Sequence, residues 1–278
     1  MKVSEFKTAG KLVTGLGAIK ALPDEMSRLS IKECAIVTDK GVSSSGLLDQ
    51  ILTLFPTSPL LIIDDIPPEP EVNIIEDKLA VLREKQVDGI IALGGGSAID
   101  SAKVLAATYD HTGPLSELFG ENTLSKRRLP LIVIPTTAGT GSEVTNIAIL
   151  SDPIAQMKKG IVSPCLLPDV AIVAPEMTKT CPQSITAASG IDAFVHALEA
   201  YISVNASPIT DALAEKALKL IFNSLLHAYN NGENLSARED MATGSLMAGL
   251  AFRNAGVGAV HALAYPLGGR FHLSHGMS

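Results

Sequence analysis

The feature that most constrains this chain is its alternation of short apolar runs with helical stretches. Glu33 to Thr38 (ECAIVT), Leu60 to Asp64 (LLIID), Asp88 to Leu93 (DGIIAL), Leu131 to Ile134 and Asp169 to Val173 each read as a strand. Between them, Glu71 to Lys85 carries apolar residues at helical spacing, with Ile74, Leu79 and Leu82 facing inward, and Ser97 to Thr108 reads as a further helix. Strands alternating with helices of this length imply a mostly parallel sheet covered on both faces. After residue 173 the texture changes: Pro182 to Ser203, Pro208 to Asn230 and Ala237 to Val260 are long helical patterns with almost no β-branched runs. The expectation is an α/β domain over residues 1–180 and an all-helical domain over residues 181–278, joined through TKTCPQ. At ~150 residues per domain, a chain of 278 residues fits two.

Bulk composition narrows the function classes. With 46% hydrophobic and 18% charged residues, the chain can build a sizeable core. Its net charge of −7, unrelieved by any basic run, argues against a nucleic-acid surface. The N-terminus has no apolar core of a signal peptide, and the longest apolar runs are too short to span a bilayer. Cys34, Cys165 and Cys181 match neither a disulfide framework nor a zinc ribbon. A cytoplasmic protein without a membrane partner is expected.

Two glycine-rich loops follow strands. DGIIAL runs into Gly94, Gly95, Gly96 and Ser97, where a helix begins. Glycines let backbone approach a ligand, and a helix N-terminus offers free N–H groups to an anion, although a tight strand-to-helix turn would look the same. The strand LPLIVIP leads into Thr136, Thr137, Ala138, Gly139, Thr140, Gly141 and Ser142, four hydroxyls and two glycines. Ligands of open α/β sheets sit beyond the carboxyl ends of strands, and two such loops favour a phosphate-containing cofactor over two ordinary turns. Asp39 also ends a strand, where a carboxylate can bind a ribose diol and repel a 2′-phosphate; an ordinary turn aspartate is the simpler account. It precedes the glycine loop instead of following it by ~20 residues, so the topology differs from the usual dinucleotide fingerprint.

A second set of residues has metal-ligand character. Asp192 and His196 in GIDAFVHALEAY are four apart and share one helix face among apolar neighbours. A surface pair is the alternative, but a buried aspartate needs a strong partner. Three of the six histidines, His261, His272 and His275, fall in VHALAYPLGGRFHLSHG. His261 and His275 would lie ~21 Å apart in one straight helix, so sharing an ion requires a bend, for which Pro266, Gly268 and Gly269 are candidates. Spacing leaves His272 and His275 as alternatives.

Taken together, GGGSAIDSAK, PTTAGTGSEVTN, GIDAFVHALEAY and VHALAYPLGGRFHLSHG resemble the iron-containing, or group III, alcohol dehydrogenases along the whole chain. The resemblance implies an NAD-binding α/β domain, a helical domain and a divalent ion between them, Fe(II) or Zn(II). It implies Asp192, His196, His261 and His275 as metal ligands, and Asp39, Gly95, Gly96, Ser97, Asp100, Thr136, Thr137, Thr140 and Lys159 as NAD contacts. Asn146 and Phe252 would line the active-site cleft. The implied activity is hydride transfer between nicotinamide and an alcohol or aldehyde, in a chain that forms homo-oligomers. A polyol dehydrogenase or maleylacetate reductase would use the same framework, and a catalytically silent NAD-binding fragment is the reading from another class.

Two departures from the family pattern stand out. Tyr265 occupies the place of a histidine found in many relatives, where a phenol could relay a proton or be an accepted variant without kinetic meaning; Glu69 stands where relatives often have asparagine near the adenosine. Relatives also continue through further helices, so the sequence reads as truncated at Ser278, with the expectation of weak metal binding, low activity or self-association.

Overall fold

The computed structural model describes residues 3–55, 57–271 and 276. Six strands form one parallel sheet: β1 (Leu12–Thr14), β2 (Cys34–Val37), β3 (Leu61–Ile63), β4 (Gly89–Gly94), β6 (Leu131–Pro135) and β9 (Val170–Val173), in the order β1-β9-β6-β4-β2-β3. The strand residues divide by parity. Ala35, Val37, Ile90, Ala92, Leu131, Val133, Ala171 and Val173 pack on one face, against α4 (Val72–Lys85) and α5 (Gly96–Thr108). Cys34, Ile36, Ile91, Leu93, Ile132, Ile134, Val170 and Ile172 pack on the other, against α1 (Leu22–Arg28) and α3 (Leu47–Leu52). Burial on both faces explains why these strands read as continuous apolar runs rather than alternating ones.

The α4 stripe consists of Val72, Ile75, Leu79 and Leu82, so Ile75 takes the inward place expected for Ile74. That phase buries four apolar side chains in one stripe at helical spacing. The short helix α2 (Lys40–Ser44) starts immediately after Asp39.

A small three-stranded sheet lies beyond the sequence expectation. Strands β7 (Ile147–Asp152) and β8 (Met157–Val162) pair antiparallel, and β5 (Gly120–Glu121) joins β8 in parallel. MKKGIV in β8 lacks a regular apolar alternation, so nothing local distinguishes it from a loop; backbone pairing with β7 makes it a strand.

The rest is helical: α6 (Gln183–Ile202), α7 (Pro208–Asn230), α8 (Leu235–Ala255) and α9 (Ala259–Phe271). A capping box closes the start of α7, with Ser207 and Thr210 each accepting from the other's backbone. The pattern expected to continue from Ala237 to Val260 is broken at Gly256, whose φ of 84° and ψ of 169° end α8 and redirect the chain into α9. Helix α9 continues through Pro266, Gly268 and Gly269 to Phe271, so the helix does not end at these residues. Ala242, Leu246 and Leu250 of α8 enter the core beside the parallel sheet, so the helical part and the sheet share one apolar interior. Among the described residues, no helix is long and apolar enough to cross a membrane.

Candidate active site

A cleft of about 2060 Å³ runs past the carboxyl ends of β2, β4 and β6. Asp39, Gly95, Gly96, Ser97, Thr136, Thr137 and Thr140 all line it. The two glycine loops meet each other directly. A Cβ on Gly96 would stand 2.8 Å from Thr140 Cγ2, so a larger residue would force the loops apart. Gly141 has φ 61° and lies against Gly249 of α8, where a Cβ would come within 2.6 Å of the Gly249 Cα. The second loop is thereby wedged between sheet and helices. No side chain caps the start of α5, which leaves its first N–H groups facing the cleft, an arrangement suited to an anion.

Asp39 caps a helix at the edge of the cleft. Its Oδ1 accepts from Val42 N at 2.9 Å and caps α2, the ordinary turn function, while the residue also borders the cleft. Asp100 does not line the cleft; it is turned into the fold. Its Oδ1 accepts from Ser142 Oγ, and its Oδ2 from Ile149 N at 3.0 Å. Beside it lies Lys103, fully buried, donating to Ser142 Oγ (2.7 Å), Thr145 Oγ1 (3.0 Å) and Ile147 O (2.8 Å). Burial pushes this ammonium down, against the opposing charges of Asp100 and Glu143. The network ties α5 to the second glycine loop and to β7. Sequence reasoning missed Lys103, since a lysine in a helix ordinarily reads as a solvated position. Lys159 also lies apart from the cleft lining, pairing with Asp152 at 2.7 Å; its neighbour Lys158 lines the cleft and pairs with Glu69 at 2.5 Å.

Asp192, His196 and His261 converge with one ligand atom from each within 4.8 Å of the others, and all three are buried. Asp192 Oδ2 lies 3.8 Å from His196 Nδ1 and Asp192 Oδ1 lies 3.6 Å from His261 Nε2. Helix α6 brings the first two together through their spacing, and the turn at Gly256 delivers His261 from α9. The His196 ring is stacked between Phe252 (centroids 4.2 Å apart) and His261 (4.3 Å). Burial by itself lowers the imidazole of His261, but the bonds and charges of Asp192 and Glu199 outweigh it and hold the group above the usual histidine value. Glu199, also buried, accepts from His261 Nδ1 at 2.5 Å and was not anticipated from the sequence. His272, His275 and the Tyr265 side chain lie outside the described residues. Gly276 lines the cleft, and a Cβ there would meet the backbone of Ala188, one turn before Asp192.

One carboxylate and two imidazoles, buried and convergent, suit a divalent transition metal such as Fe(II) or Zn(II). A parallel α/β sheet with phosphate-type loops, sharing a cleft with such a donor set, defines a metal-assisted, nucleotide-linked class of enzyme. Comparison with known proteins narrows that class. The sequence pattern of "Iron-containing alcohol dehydrogenase" matches residues 9–175, and that of "Fe-containing alcohol dehydrogenase family, C-terminal" matches residues 186–278. The chain belongs to the iron-containing alcohol dehydrogenase family. It is 48% identical over 274 residues to long-chain-alcohol dehydrogenase 1 of Geobacillus thermodenitrificans, covering 95% of this chain and 68% of that protein. It is 36% identical to the NAD-dependent methanol dehydrogenase of Bacillus methanolicus, covering 95% of this chain and 70% of that one. The crystal structure of sulfoacetaldehyde reductase from Bifidobacterium kashiwanohense in complex with NAD+ superimposes with a TM-score of 0.94 at 31% identity, covering 99% of this chain and 74% of that chain.

Proposed function

We propose that this chain is a metal-dependent, NAD-linked alcohol dehydrogenase that interconverts alcohols and aldehydes. The observation that carries the reading is that one cleft is lined by both glycine loops and by Asp192 of the buried Asp–His–His cluster. A cofactor held by the loops and a substrate held at the cluster would then share one space, which is what a direct hydride transfer needs.

In this reading, residues 1–180 bind NAD and residues 181–278 supply the metal ligands. The amides of Gly95, Gly96 and Ser97 and the hydroxyls of Thr136, Thr137 and Thr140 hold the pyrophosphate. Asp39 accepts from the ribose diol and repels a 2′-phosphate. Asp192, His196, His261 and His275 hold the metal, and stacking between Phe252 and His261 restrains the His196 ring. When bound, a divalent ion supplies Lewis-acid polarisation of the substrate oxygen and lowers the alcohol pKa. Tyr265 is assigned to relaying the alcohol proton. Asp100 acts by organising the loop, since its carboxylate bonds Ser142 and Ile149; Lys159 acts through Asp152 on the hairpin beside the cleft. Homo-oligomer formation and a cytoplasmic location complete the reading.

Metal analysis of the purified chain, followed by NADH formation with a panel of primary alcohols, tests it. Removing metal with a chelator is expected to abolish turnover, and Fe(II) or Zn(II) to restore it. Asp192→Ala should lose the metal and lower kcat/KM at least about 100-fold while NAD still binds. A chain that binds NAD and turns over alcohols equally well without metal would sink the proposal.

A further inference from the structure

Glu199 lies three residues after His196 and seven after Asp192, on the same side of α6. It is 4% exposed, and its two carboxylate oxygens have different partners. Oε2 accepts a hydrogen bond from Nδ1 of His261 at 2.5 Å. Oε1 takes the backbone N–H of Val260 at 2.7 Å, in the first turn of α9. A Cβ on Gly258 would come within 2.9 Å of Oε1, so the approach of the chain to this carboxylate depends on a glycine. One side chain therefore binds both the imidazole of His261 and the start of the helix that carries it.

The geometry points to Glu199 as a positioning residue for the metal site: it holds the Nδ1 proton of His261 and thereby presents Nε2 to the ion. This inference rests on the metal reading above. An imidazole has two nitrogens, and only the one without a proton can be a ligand. A carboxylate on Nδ1–H fixes that choice, orients the ring and raises its basicity as a donor. Nε2 is the nitrogen that faces Asp192, at 3.6 Å from Oδ1. Helix α6 thus supplies two ligands and the residue that orients a third, while the cap on Val260 sets where α9 begins.

Glu199→Gln keeps size and shape but offers one acceptor oxygen where two N–H groups need one each. Zn(II) affinity, measured by chelator competition, is expected to fall about 10- to 100-fold in E199Q. Proton-coupled nitrogen NMR of the Zn(II)-loaded wild type should show His261 protonated at Nδ1 and coordinated through Nε2, a readout that does not depend on any variant folding. Coordination through Nδ1 or unchanged affinity in E199Q would each overturn the positioning role while leaving the metal reading intact. A wild-type chain that takes up no Zn(II) would overturn the metal reading, and the role of Glu199 with it.

Discussion

Lys103 shows how far a residue's meaning depends on its surroundings. In sequence it is a helical lysine, while in the fold its ammonium is fully buried and satisfied by two hydroxyls and a carbonyl. Removing one member of a buried charged network leaves the others uncompensated, so Lys103→Met should destabilise the protein by about 3–5 kcal/mol, read from urea denaturation. A loss below 1 kcal/mol would mean that the network relaxes freely. Asp39 has an ordinary turn role in the fold, since it caps α2, and it also borders the cleft. If its carboxylate repels a 2′-phosphate, Asp39→Gly will raise the kcat/KM ratio of NADP to NAD. The same ratio in both proteins would remove Asp39 from cofactor selection.

Among the elements, the joint between α8 and α9 has the clearest consequence. Gly256 adopts φ 84° and ψ 169°, a region open essentially to glycine alone. Among the described residues, nothing beyond the chain neighbours lies within 4 Å of a Cβ added there, so replacement costs backbone strain. Gly256→Ala is expected to lower stability by about 1–3 kcal/mol and, by shifting α9, to weaken metal binding through His261. Calorimetry with metal titration would check both, and an unaltered melting temperature would show that the joint tolerates another conformation. The ligand-bearing face of α6 was legible from the spacing of Asp192 and His196, because one helical turn is a local property. The β7–β8 hairpin was not, because Met157, Lys158 and Lys159 carry no strand pattern and only their backbone partners make them one.

For the whole molecule, acid sensitivity follows from a contact near the first strand. Glu25 is buried, with Lys11 on one carboxylate oxygen and Arg28 on the other at 2.7 Å. Burial raises a carboxyl, but these two cations outweigh it and hold Glu25 below its ordinary value. Between the lowered folded value and the ordinary one, the unfolded chain binds more protons, so stability rises with pH there. The contribution is complete above the ordinary carboxylate range and is lost as pH falls through the folded value. Glu25→Gln should therefore flatten the acid limb of stability against pH. Superimposable limbs for the two proteins would remove Glu25 as a source of the acid response.

What the sequence determined by itself is local: which apolar runs become the interior strands of the parallel sheet, where the glycine loops follow them, and that Asp192 and His196 share a helix face. These follow from periodicity and backbone preference within a few residues. The tertiary structure alone decided the strand order β1-β9-β6-β4-β2-β3, the turning of Asp100 toward Ser142, and the union of His261 with Asp192 and Glu199. Each of those depends on partners dozens of residues away, chosen by the burial of shared apolar faces and the satisfaction of buried polar atoms, and no local pattern records that choice.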